Sequence, residues 1–227
     1  MKTFLKVRNI IIILVLFIAI LIFSFIRRES VDLSKTVRYL DSINLNDKSY
    51  TITIEDIKNH AYKRILAENT NPEKTVRVSH FEATHDFIKN TGILSYSEEE
   101  VANFSQTHVT IFESEKQSNY MLNHVAKWYI INPDFINSPI DELHDMTNSN
   151  YYLRGYEFVN GKLLYFEHFK TESSNVKLYF ENEKIVYMKD LSMPKYLLSF
   201  DVSDEVSEDL YSIPSNYTLY QDYTKDN

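Results

Sequence analysis

Residues 151–190 read YYLRGYEFVNGKLLYFEHFKTESSNVKLYFENEKIVYMKD, a stretch that predicts four antiparallel strands. Asn160-Gly161 separates two runs rich in Tyr, Phe, Leu and Val, and this dipeptide tolerates the two positive φ angles of a tight type I′ turn. A two-residue loop fixes the register: Val159 faces Lys162, Phe158 faces Leu163, Tyr156 faces Tyr165, Arg154 faces Glu167 and Tyr152 faces Phe169. The opposed charges of Arg154 and Glu167 favour that pairing. A second hairpin, VKLYF before and KIVYMK after, turns near Asn182 and Glu183.

One face of the first hairpin then carries Tyr152, Arg154, Tyr156, Phe158, Leu163, Tyr165, Glu167 and Phe169, and the other Leu153, Gly155, Val159, Leu164 and Phe166. Both are apolar enough to require cover. Helices on one side and packed loops on the other give the simpler explanation. The functional explanation is that a curved sheet lines a cavity for an apolar ligand, with Tyr156, Phe158, Leu163 and Tyr165 as the candidate binding residues.

Upstream, residues 10–26 read IIIILVLFIAILIFSFI, without a charge. As a helix these residues would span about 26 Å, close to the thickness of a bilayer core. Basic residues flank the run on both sides, and no A-x-A cleavage pattern follows it in SFIRRES, which predicts a retained signal anchor with residues 1–28 as cytoplasmic N-terminus and membrane helix. The domain is then expected outside the cytoplasm, on a bacterial cell membrane crossed once. Residues 29–48 are expected to form an amphipathic helix and linker, capped by Asp32 or Ser34 and placing Leu33, Val37 and Leu40 on one face.

The β domain is expected over residues 49–223. SYTITIE alternates as a half-buried strand, HAYKRILA and TVRVSHFE form a pair around NTNPEK, and THVTIFESEKQSNYMLNHVAKWYII contains two or three strands. PIDELHDM is a short helix in a loop, and a last strand lies near Tyr196 to Val202. The fold class is mainly β within α+β: an N-terminal transmembrane helix, then a curved antiparallel sheet of many strands, a half-barrel with one or two covering helices.

Composition removes several functions. After Arg28 the chain keeps 19 of its 24 basic residues against all 32 acidic ones, a formal −13, so nucleic acid is not an expected partner. The absence of cysteine removes disulfides, thiolate nucleophiles, Cys-ligated zinc and a lipid-modified anchor cysteine. With three glycines, Gly92, Gly155 and Gly161, neither a P-loop nor a dinucleotide fingerprint can be written, and no cofactor is expected.

The succession YMLNHVAKWY, YEFVNGKLLYFEHF, VKLYFENEKIVYMK and LYSIPSNY resembles the LolA-like lipoprotein carrier superfamily, in its membrane-associated Gram-positive branch. The shared pattern is a Lys-aromatic strand end, the Glu157 to Lys162 hairpin, a Tyr-Phe strand followed by a Lys-aliphatic-Val-Tyr strand, and a closing Ile-Pro-x-x-Tyr. The resemblance covers residues 118–217 and implies an incomplete barrel with an apolar concave side able to hold acyl chains. A tethered domain does not shuttle cargo freely, so the family's transport role is not carried over.

Seven histidines are scattered along the chain, and their closest grouping is His80, Glu82, His85 and Asp86, in which His80 and Glu82 share a face if the segment is a strand. Two imidazoles and a carboxylate are metal ligands by type, but H-x-E-x-x-H is not the helical H-E-x-x-H of metalloproteases, and polar residues at a strand end explain the grouping more simply. Ser79 and His80 point to opposite faces of a strand and make no nucleophile and base. Three functions follow in order of expectation. The first is non-catalytic binding of a lipid, an acylated protein or another apolar ligand. The second is an envelope protein-interaction module, an accessory, sensor or immunity factor with a filled interior. The third is an anchored hydrolase using His80 and Glu82.

Overall fold

The computed structural model describes residues 27–30, 34–44, 49–91, 103–113, 116–131, 137–147, 151–172 and 174–223. The expected membrane helix over residues 10–26, the expected cap Asp32 and Leu33 lie outside them. Among the described residues no helix is long and apolar enough to cross a membrane.

Thirteen strands are described, all in one curled sheet: β1 (Arg27–Ser30), β2 (Tyr50–Asp56), β3 (Tyr62–Thr70), β4 (Lys74–Thr84), β5 (Asn103–Glu113), β6 (Lys116–Asn123), β7 (Trp128–Ile131), β8 (Tyr151–Val159), β9 (Lys162–Lys170), β10 (Asn175–Glu181), β11 (Lys184–Asp190), β12 (Leu198–Ser203) and β13 (Thr218–Asp222). Their spatial order is β1-β8-β9-β10-β11-β12-β2-β3-β4-β5-β6-β7-β13. Two meanders, β2 to β7 and β8 to β12, are thus joined edge to edge where β12 pairs with β2, Phe200 opposite Ile54.

The hairpin at 151–170 has the expected register at every position from Tyr152 opposite Phe169 to Val159 opposite Lys162. Asn160 and Gly161 both hold positive φ, 49° and 79°. Asn182 and Glu183 do the same at 49° and 66°, so the second hairpin also uses the mirror-image turn that matches strand twist. The sheet is mixed, however, rather than wholly antiparallel: β13 lies parallel to β7, with Thr218 opposite Trp128. Strands brought together by a long connection are free of the antiparallel constraint that a hairpin imposes.

Three helices are described instead of one or two: α1 (Lys35–Asn44), α2 (His85–Thr91) and α3 (Pro139–Thr147). α1 begins after Ser34, whose Oγ accepts from the Val37 amide at 3.2 Å, the usual N-cap service. α3 has Pro139 at its first position and Asp141 and Glu142 in its first turn, each suited to a helix N-terminus. α1 packs on α3 over the inner face of the sheet. Leu40, Phe87, Ile140 and Leu143 from the helices meet Ile52, Ile54, Leu66, Phe169, Leu178, Leu198 and Phe200 from the strands in the main core. A smaller core on the outer face joins Ala67, Val76, Val78, Val109 and Leu122 to Leu210, Tyr211 and Tyr217 of the C-terminal segment.

The N-terminus of α1 is tied to the sheet by one buried carboxylate. Glu167 of β9 is fully buried, and its carboxylate accepts five hydrogen bonds: from Ser34 Oγ, the amides of Lys35 and Thr36, Thr36 Oγ1, and the Tyr165 hydroxyl. The distances run from 2.7 to 2.9 Å. A carboxylate at the first turn also meets the positive end of the helix dipole. Burial first, and then the charge of Glu167, raise the Tyr165 pKa, so Tyr165 remains a donor to that carboxylate.

Candidate functional site

β4 and β5 carry the two arrangements with chemical potential, one on each face of the sheet. Strand alternation divides them. His80 and Thr107, paired across the strands, point outward with Val78 and Val109. Ser79, Phe81, Gln106 and His108 point inward and line a cleft.

On the outer face a hydrogen-bonded chain links five side chains. Glu82 Oε1 lies 3.0 Å from His80 Nε2, His80 Nδ1 is 2.7 Å from Thr107 Oγ1, Thr107 Oγ1 is 2.5 Å from His124 Nε2, and His124 Nδ1 is 2.8 Å from the Tyr217 hydroxyl. With both imidazoles neutral the direction is forced. Glu82 only accepts, so His80 donates from Nε2 and takes the Thr107 proton at Nδ1. Thr107 oxygen then accepts from His124 Nε2–H, and His124 Nδ1 accepts from Tyr217. His80 is 7 % exposed and Thr107 not at all. Thr107 therefore offers no hydroxyl to a substrate, and the chain ties the C-terminal segment to the centre of the sheet.

Burial, and second the neighbouring His80, hold the His124 pKa below the ordinary imidazole value. The folded state thus binds a proton less readily than the unfolded chain, whose histidines titrate near 6.5. The stability contributed by neutral His124 is complete above about pH 6.5 and is lost as pH falls through the depressed folded value. The melting temperature should fall between pH 7.5 and pH 5, and less steeply in His124→Asn, as read by calorimetry. His108, also lowered by burial and by Arg64, adds loss of the same sign in both proteins.

The inner cleft comprises two cavities of about 390 Å³ each. Arg64, Ser79 and His108 line both. The first is walled by Ile54, Tyr62, Phe81, Phe104, Met146 and Met188, with Asp190 and Gln106 at its polar side. The second opens toward Pro139 and Glu142 of α3. The Arg64 guanidinium is ion-paired with Glu142, and its positive charge, after burial, keeps His108 neutral. Among the described lining residues, Arg64 neutralised by Glu142, together with Asp190, leaves no net positive charge. The cleft suits an apolar body with an uncharged hydrogen-bonding group, to which Ser79, Gln106 and neutral His108 can donate and accept.

None of the expected binding residues lines this cleft. Tyr156, Phe158 and Leu163 stand at the end of the β8–β9 hairpin, 54 %, 75 % and 57 % exposed, whereas Tyr165 is half-buried beneath Lys35. His80 and Glu82 do share a face and touch, but His85 opens α2, and among the described residues no three such side chains are gathered to hold a metal ion. The sequence did contain a signal for α2: Thr84 Oγ1 accepts from the Phe87 amide, an N-cap in T-H-D-F-I that an extended reading of the strand hides.

No protein-family model and no curated protein sequence matches the chain. Among solved structures it is similar to an uncharacterized conserved protein from Thermus thermophilus, at 10 % identity and a TM-score of 0.39, over 83 % of this chain and 99 % of that one. Nothing about this chain follows from similarity at that level.

Proposed function

We propose that this is a single-pass, membrane-anchored, extracytoplasmic binding protein of a bacterial cell envelope, non-catalytic, which holds an apolar ligand with an uncharged polar head in the inner cleft. The observation that carries the reading is the cleft itself: aromatic, aliphatic and methionine side chains around a small polar cluster, in a volume within the range of small-molecule sites, roughly 300–1,000 Å³. An acyl chain joined through an amide or ester, as in an acylated protein, has the required chemistry; a free carboxylate or phosphate head would meet Asp190 and Glu142 without a spare cation. The resemblance to LolA-like carriers in the strand motifs points the same way. Thr107, whose hydroxyl lies buried between two imidazoles, offers no nucleophile from the outer chain.

The test is native mass spectrometry of the domain, made with its own anchor and released by an engineered protease site. Adducts that disperse in organic solvent and are identified as lipid or lipopeptide are expected. Ser79→Phe, which places a ring in the wall common to both cavities, should weaken their retention about tenfold or more, a change of about 1.4 kcal/mol or above, while circular dichroism stays that of the sheet. A clean mass in repeated preparations, or adducts indifferent to Ser79→Phe, would sink the reading.

A second reading, an envelope protein-interaction module, is favoured by the edge strand β13. There Leu219 and Tyr220 are 40 % and 73 % exposed on the last strand of the described sheet, and an edge strand is the place where a partner's strand is added. Crosslinking from position 220 in membranes would then capture an envelope protein, with no response to Ser79→Phe.

A further inference from the structure

We infer that the end of the β8–β9 hairpin is a second membrane contact, in which Tyr156, Phe158 and Leu163 rest on the lipid interface beside the anchor. The inference depends on the anchor proposed above. These three large side chains are more than half exposed and neighbour one another across the hairpin. On the opposite face of the same end the apolar side chains are buried, Val159 and Leu164 packing with Tyr179, beneath two ion pairs, Lys162 with Glu181 at 2.6 Å and Glu157 with Lys177 at 2.7 Å. An uncovered apolar face backed by one capped with charges matches a lipid boundary, where one side is apolar and the other wet.

The register of β1 supplies the occupant. β1 runs antiparallel to β8 with Arg27 opposite Arg154 and Ser30 opposite Tyr151, so the chain enters β1 from the side of the hairpin end. The apolar run 10–26 stops at Ile26, the residue immediately before that strand. The anchor is therefore delivered to the same end of the sheet as the exposed patch. Tyr156, Phe158 and Leu163 share one face of that end, so the three side chains enter the interfacial layer together, where tyrosine is favoured.

Because the chain has no cysteine, a single environment-sensitive nitrobenzoxadiazole label can be placed at Phe158→Cys, with Glu172→Cys, exposed beyond the far end of β9, as control. The full-length protein is reconstituted in mixed phosphatidylcholine and phosphatidylglycerol vesicles, and carbonate extraction is run in parallel. Expected are a blue-shifted emission at 158 that shallow doxyl-labelled lipids quench, and a water-like emission at 172. If carbonate retains the protein and position 158 reads as water, or is shielded without lipid quenching, the contact is overturned while the anchor stands. Release by carbonate overturns the anchor and the contact together.

Discussion

Replacing Glu167 with alanine should destabilise the domain by roughly 3–5 kcal/mol, because it strips a buried carboxylate from a ring of donors and leaves each without a partner. The Ser34 and Thr36 hydroxyls and the Lys35 and Thr36 amides all aim at that carboxylate, and Ser34 and Thr36 are fully buried. Total stabilities of single domains are about 5–15 kcal/mol, so the variant should sit near the edge of folding. Glu167→Gln keeps one acceptor oxygen but turns an amide N–H₂ toward a donor and loses the charge at the helix N-terminus; roughly 2–3 kcal/mol is expected. Urea denaturation measures both, and hydrogen exchange localises the change. Amides of residues 35–39 should lose protection before those of β3 and β4 do. Uniform loss across the sheet would mean that α1 is not held by this carboxylate.

Thr107→Val should cost on the order of 2–4 kcal/mol, although it preserves shape and adds apolar surface. The valine leaves His80 Nδ1 and the His124 Nε2–H facing each other across a methyl group, two polar atoms unpaired in or near the core. Thr107→Ser, which restores the hydroxyl, should recover most of the loss, to within about 1 kcal/mol of the native protein. Nitrogen-15 spectra of the imidazoles give an independent reading: His80 is protonated on Nε2 and His124 on Nε2 in the native chain, as the direction of the relay requires. A tautomer at His80 carrying its proton on Nδ1 would reverse the relay and remove the reason for the threonine.

The parts of the fold that were readable in the sequence are those fixed by neighbours along the chain. The Asn160-Gly161 turn and the period of two set the β8–β9 register residue by residue, and Ser34 and Leu40 marked the start and a buried position of α1, whereas Val37 stands outside the core. The parts that escaped depend on pairings between distant segments. Glu167 meets Thr36 across 131 residues, β12 meets β2, and β13 turns parallel against β7; no local pattern specifies any of them. The same holds for the cleft. Its walls come from β2 to β5 on one side and β11, β12 and α3 on the other, so the aromatic hairpin that dominates the sequence builds part of the sheet but lies outside its hollow. The relay was half visible: His80 and Glu82 were read as sharing a face, whereas Thr107, His124 and Tyr217 join them only through strand pairing and the returning C-terminal segment. One isolated clue was present, a glutamate within the apolar LLYFEHF strand, since a charge in such a run must find partners.

The exchange of terminal segments between the two meanders has a consequence for assembly. β1 and α1, made first, belong to the second meander through Arg27 opposite Arg154 and through Glu167, while β13, made last, completes the first meander beside β7. Each half therefore wears an edge supplied by the other. As the chain is made from its N-terminus, residues 27–44 must wait for residues 151–170 before they can dock, and the described sheet gains its final edge only with β13. Cutting the chain between β7 and β8 would separate two polypeptides that each lack part of their own sheet and carry part of the other's, a pair built to reassemble by complementation rather than to fold alone.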